Sequence, residues 1–66
     1  MTFEEYVTEV NKEFRSPKGW RHGQAAFNVL RTVREDLASQ VHRSSRDPFY
    51  NDSKLPSFYE WVGNNW

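Results

Sequence analysis

The sequence predicts an all-α protein, a compact bundle of three to four short helices around an aromatic-rich core. Three observations carry this. Apolar residues recur at helical spacing in three stretches, and no stretch shows the strict alternation of a half-buried strand. Eleven of the 66 residues are aromatic and are spread along the whole chain, and each large ring buries about 150–250 Å² at a small rotamer cost. There is no cysteine, so no disulfide or thiolate-bound metal supports the fold. A domain of about 60 residues buries only about 60% of its unfolded surface. Its core must therefore be efficient, and Phe3, Tyr6, Phe14, Phe27, Phe49, Phe58 and Trp61 are expected to form it. Residues 1–66 are expected to make one small helical domain.

The first helix is expected over Thr2 to Arg15. Thr2-Phe3-Glu4-Glu5 reads as a capping box, in which the Thr2 hydroxyl accepts from the Glu5 N–H and the Glu5 carboxylate from the Thr2 N–H. Phe3, Tyr6, Val7, Val10 and Phe14 then form one apolar stripe. Ser16-Pro17-Lys18-Gly19 ends the helix, because Pro cannot continue it and Gly permits a sharp turn.

A second helix is expected from near Trp20 to about Arg34, with Ala26, Phe27, Leu30 and Val33 inward. Leu37 and Val41 extend the same face, so a third helical piece spans roughly Glu35 to Arg43. Periodicity alone permits one helix over 21–43. A break near Arg34-Glu35-Asp36 is expected because acidic residues suit a new helix N-terminus. Ser44 to Pro48 reads as a loop, with Phe49 and Tyr50 in a turn that tucks a ring under the last helix. Asp52 or Ser53 is expected to cap that helix, and Pro56 falls in its first turn, where a missing N–H costs little. Leu55, Phe58, Tyr59, Val62 and Trp66 make its stripe, with Trp61 at the edge.

The formal net charge is zero but unevenly spread: residues 1–14 sum to −3, residues 15–46 to +5 and residues 47–66 to −2. The acidic ends can offset the basic middle. Alternatively, Arg21, Asn28, Arg31 and Arg34 can form a basic ridge, with Lys18 and Trp20 at its start, that meets phosphate or an acidic protein surface. Zero net charge argues against a nucleic-acid domain, which is usually strongly basic.

Catalytic and metal-binding patterns are weak. His22 and His42 stand 20 residues apart and match no ligand motif. No Gly-x-Ser-x-Gly context exists, and Gly19 and Gly23 lack the Lys-Ser/Thr ending of a phosphate loop. Asp47, Asp52 and Glu60 can cluster, but caps and turns explain the aspartates better. Asn51-Asp52-Ser53 matches a glycosylation sequon that would be idle without secretion. No apolar run suits a signal peptide or a membrane span. The reading is therefore no enzyme, no cofactor, no metal, no membrane contact and a cytoplasmic placement.

Several stretches carry a resemblance: Trp20-Arg21-His22-Gly23-Gln24, Phe27-Asn28-Val29-Leu30, Val33-Arg34-Glu35-Asp36-Leu37, Gln40-Val41, Asp47-Pro48-Phe49-Tyr50-Asn51-Asp52-Ser53, Phe58, Glu60-Trp61-Val62 and Asn65-Trp66. Over residues 20–66 the chain resembles a group of small uncharacterised proteins encoded by tailed bacteriophages. Members of that group often have Pro where this chain has Glu35, and Gly-Thr where it has Ser44-Ser45. The resemblance carries over no functional residue. It implies context, since small phage proteins of this size often bind and inhibit a host protein or a defence complex, as anti-CRISPR proteins do.

The function expected first is thus a non-catalytic phage-type protein-interaction module that binds and inhibits a host or host-defence protein. Trp20, Arg21, Arg31 and Arg34 are its expected partner-binding residues, because Trp and Arg dominate interface hot spots. Trp20 can equally cover the end of the core, and the arginines can be solvated or paired with the glutamates of the first helix. One alternative is a small nucleic-acid-binding domain, its second and third helices imitating a helix-turn-helix. Another is a minor structural or self-assembling phage component.

Overall fold

A computed structural model describes residues 1–42 and 44–66. Among the described residues four α-helices follow in order: α1 (Phe3–Phe14), α2 (His22–Val33), α3 (Glu35–Val41) and α4 (Leu55–Asn65), with a 3-10 turn at Asp52–Lys54 ahead of α4. No strand occurs among the described residues. The all-α, aromatic-centred bundle expected from the periodicity is the observed architecture. The radius of gyration is 10.6 Å, against about 11 Å for a compact chain of this length.

α1 forms as its capping box requires. The Glu5 N–H donates to Thr2 Oγ1 at 3.1 Å, and the Thr2 N–H donates to Glu5 Oε1 at 2.8 Å. These bonds hold the Glu5 carboxyl below its ordinary range. Arg15 is the C-cap, and Gly19 carries the positive φ of +72° that lets the chain reverse toward α2.

α2 and α3 are separate helices. Arg34, between them, leaves helical space with φ −142° and ψ 74°, yet its N–H still donates to the Leu30 carbonyl. Glu35 and Asp36 occupy the first turn of α3, where the helix dipole favours them. α3 ends at Val41, short of the expected end, with His42 as its non-helical C-cap at ψ 123°; Arg43 itself lies outside the described residues.

α2 is the central element, packing against α1, α3 and the 3-10 turn. Its Ala25, Ala26 and Leu30 are fully buried, joined in one cluster by Tyr6 and Val10 of α1, Leu37, Ala38 and Val41 of α3, and Phe58 and Val62 of α4. The Tyr6 hydroxyl is satisfied inside that cluster by donating to the Ala26 carbonyl at 2.7 Å. Rings rather than backbones bring α4 to α1. Trp66 stacks on Tyr6 with centroids 5.3 Å apart, Phe3 meets Tyr59 and Trp66 edge-on at 6.4 and 6.0 Å, and Trp66 Nε1 donates to the Met1 carbonyl at 2.9 Å.

The expected core needs correction at its margins. Phe27 and Phe58 are buried, and Phe3, Phe49 and Trp61 are half-buried against the cluster. Phe14 is 43% exposed. It is the last residue of α1, and its ring stacks on His22 at 4.8 Å. The Phe49 ring meets Phe27 of α2 edge-on at 5.9 Å, while Tyr50 stands 82% exposed.

Capping in the second half also differs from expectation. Asn51 caps the 3-10 turn by accepting from the Ser53 N–H at 3.0 Å. α4 has Lys54 at its N-cap position with no side-chain bond, and Pro56 lies in its first turn as anticipated. Asp52 serves a different helix. Its Oδ1 accepts from the Gly23 N–H of α2 at 2.9 Å. α2 lacks a side-chain cap of its own, so a residue 29 positions away supplies one.

Candidate protein-binding groove

α1 and α2, joined by residues 15–21, form an αα-hairpin. It bounds a groove of about 350 Å³. Val29 and Val33 of α2 and the ring of Trp20 give its apolar surface, Glu9 stands on the α1 wall and Arg31 on the α2 wall. The walls carry opposite charge because α1 lies in the acidic first segment and α2 in the basic middle one.

The four residues singled out from the sequence divide into two groups. Trp20 and Arg31 line this groove together. Trp20 is half-buried, packs against the core cluster, and has Lys18 Nζ over its ring at 4.6 Å. Lys18 is paired with Glu13 at 2.6 Å. Arg31 is exposed and makes no hydrogen bond or ion pair among the described residues. It also borders a second cleft of about 200 Å³ between α2 and α3, lined by Phe27, Ser39 and His42.

Arg21 and Arg34 lie at opposite ends of α2 and are each engaged with a backbone carbonyl. Arg21 is the N-cap residue, and its Nη2 donates to the Phe49 carbonyl at 3.0 Å. Arg34 donates to the Trp66 carbonyl, lies over the Trp66 ring at 5.2 Å and pairs with Asp36 at 2.9 Å. That pairing raises the Arg34 pKa and lowers that of Asp36, each through its bonds to the other. The proposed ridge is therefore not a continuous row of free cations, because its two ends hold loop and C-terminal backbone in place.

Sequence reasoning missed Glu9, which lies off the apolar stripe of α1 and carries no local motif. It also missed the clasp at Gly23. A Cβ there would overlap the Pro48 carbonyl oxygen and stand 2.8 Å from Asp52 Oδ1. Pro48 is fully buried, and Asp47 Oδ1 accepts from the Phe49 N–H at 3.0 Å to shape its turn. Much of the patterned stretch 47–53 thus has a structural task, namely holding the start of α2.

Asp47 shapes a turn as expected, whereas Asp52 caps α2 and not the last helix. Among the described residues no three His, Cys, Asp or Glu side chains come together as a metal site. No helix among them is long and apolar enough to cross a membrane. Comparison with family models, curated proteins and solved structures returns no match for this chain.

Proposed function

We propose that this chain is a non-catalytic protein-interaction module whose contact surface is the α1–α2 groove, with Trp20 and Arg31 as its anchors. The observation that carries this reading is their meeting on one groove with an apolar surface, Arg31 having no partner among the described residues. An aromatic ring already half-buried loses little rotamer freedom on binding, and an uncommitted guanidinium has no pair to give up. The resemblance to small phage proteins adds the context of a host or host-defence protein in the cytoplasm as the target, held and inhibited by occupancy.

The nucleic-acid reading is less well supported. Two arginines of the basic segment are engaged with backbone carbonyls. One non-helical residue separates α2 from α3, whereas a helix-turn-helix uses a turn of about three to four residues.

The test is affinity capture from bacterial lysate with the wild-type chain, Trp20→Ala, Arg31→Ala and a Lys12→Ala control on the exposed face of α1. A partner retained by wild type and Lys12→Ala and lost by both groove variants is expected. A partner retained equally by all four, or none retained by wild type, overturns the proposal.

A further inference from the structure

We propose that the α1–α2 groove of the free protein is closed by a second copy of this chain in a two-fold dimer, an inference that rests on reading the groove as a protein-binding surface. The argument begins with charge. Glu9 on the α1 wall and Arg31 on the α2 wall line the same groove, and among the described residues neither side chain has a hydrogen bond or ion pair. A two-fold axis along the groove lays α1 of each copy over α2 of the other. It sets each Glu9 against the partner copy's Arg31, twice by symmetry. This reciprocity is the signature of an isologous interface.

The rest of the surface agrees. The chain has zero formal net charge, so two copies approach without long-range repulsion. Met1, 63% exposed, stands at the edge of the groove, and Trp20 is half-buried within it. Both supply apolar area that a facing copy would cover. The hairpin face is small: each 12-residue helix is about 18 Å long. Such a face falls at the low end of specific interfaces, and the dimer is accordingly weak.

Sedimentation velocity between about 10 and 500 µM tests this, a range that brackets a weak interface of this size. Wild type is expected to shift from monomer toward dimer across the range. Glu9→Arg alone sets Arg against Arg31, and Arg31→Glu alone sets Glu against Glu9, so each is expected to stay monomeric throughout. An equimolar mixture of the two restores both attractive pairs and is expected to dimerise. Circular dichroism melts confirm that the variants are folded, and Glu9→Gln with Arg31→Gln, which weaken the pairs without reversal, stand in for any that is not. A wild-type monomer at the highest concentration, single variants that still dimerise, or a mixture that stays monomeric each overturn the proposal. A monomeric wild type that still captures a lysate protein through Trp20 and Arg31 removes the self-pairing alone and leaves the protein-binding reading standing.

Discussion

Gly23→Ala is the sharpest test of how this fold is held. In an exposed helix interior this change stabilises by about 1 kcal/mol, since Ala is the better helix former. At Gly23 the new Cβ would overlap the Pro48 carbonyl oxygen, with Asp52 Oδ1 at 2.8 Å and the Pro48 carbonyl carbon at 3.0 Å. These are mostly backbone atoms on a buried proline and cannot swing aside. The 47–52 segment must retreat by more than an ångström. That movement breaks the Gly23–Asp52 bond at 2.9 Å and strains the Arg21–Phe49 bond at 3.0 Å. Losing a bond to a charged acceptor costs about 1.5–3 kcal/mol, and straining the exposed bond from the Arg21 guanidinium about 1 kcal/mol more. Partial exposure of Pro48 adds to this, so the net destabilisation is about 2–4 kcal/mol after the propensity gain. A 66-residue chain has about 3–10 kcal/mol in total, so the variant is expected to be partly unfolded at 25 °C. Gly63→Ala is the matched control. Its Cβ meets the Phe3 ring at 3.5 Å, ordinary contact, and it is expected to gain about 0.5–1 kcal/mol. Urea titrations followed by circular dichroism measure both. A Gly23→Ala midpoint at or above wild type would refute the clasp as the determinant of α2 docking.

Three other predictions concern the rings. Tyr6→Phe removes a buried hydrogen bond to Ala26 and is expected to cost about 1 kcal/mol, whereas the buried Tyr59 hydroxyl has no partner among the described residues, so Tyr59→Phe is expected to be neutral or stabilising. Urea midpoints that rank the two the other way contradict this. Burial pushes the Tyr59 phenol up to about 12 and raises Tyr6 further still, from an ordinary 10.0. Both fold as neutral phenols, so their contribution is complete below pH 10 and is lost as pH rises through the folded values. Thermal melts should fall from about pH 10 upward and fall less in Tyr59→Phe; a flat profile to about pH 11.5 would count against burial of these rings. Trp66→Ala removes the stack on Tyr6, the bond to Met1 and the surface under Arg34, and a loss of about 2–4 kcal/mol is expected by calorimetry.

Local chemistry was legible in the residues. The capping box of α1, the stop at Pro17 and Gly19, the acidic start of α3 and the placement of Pro56 each depend on neighbours within a few positions, and all appear in the structure. Periodicity likewise named Tyr6, Val10, Leu30, Phe58 and Val62 as inward. The candidate site was only half legible. Trp20 and Arg31 stood out by residue type, but nothing local separated Arg31 from Arg21 and Arg34, which are drawn to the carbonyls of residues 28 and 32 positions away.

What the sequence determined by itself is therefore the set of helices and their apolar faces, because a hydrogen bond or contact at i+3 or i+4 needs no knowledge of the rest of the chain. Tertiary structure decided which aspartate caps α2, why position 23 has no side chain, which end of the α1 stripe stays wet and which two of Arg21, Arg31 and Arg34 are engaged with backbone carbonyls. Each of those outcomes is a contact between segments far apart in the chain, and only the docking of α2 against its neighbours brings the partners within reach.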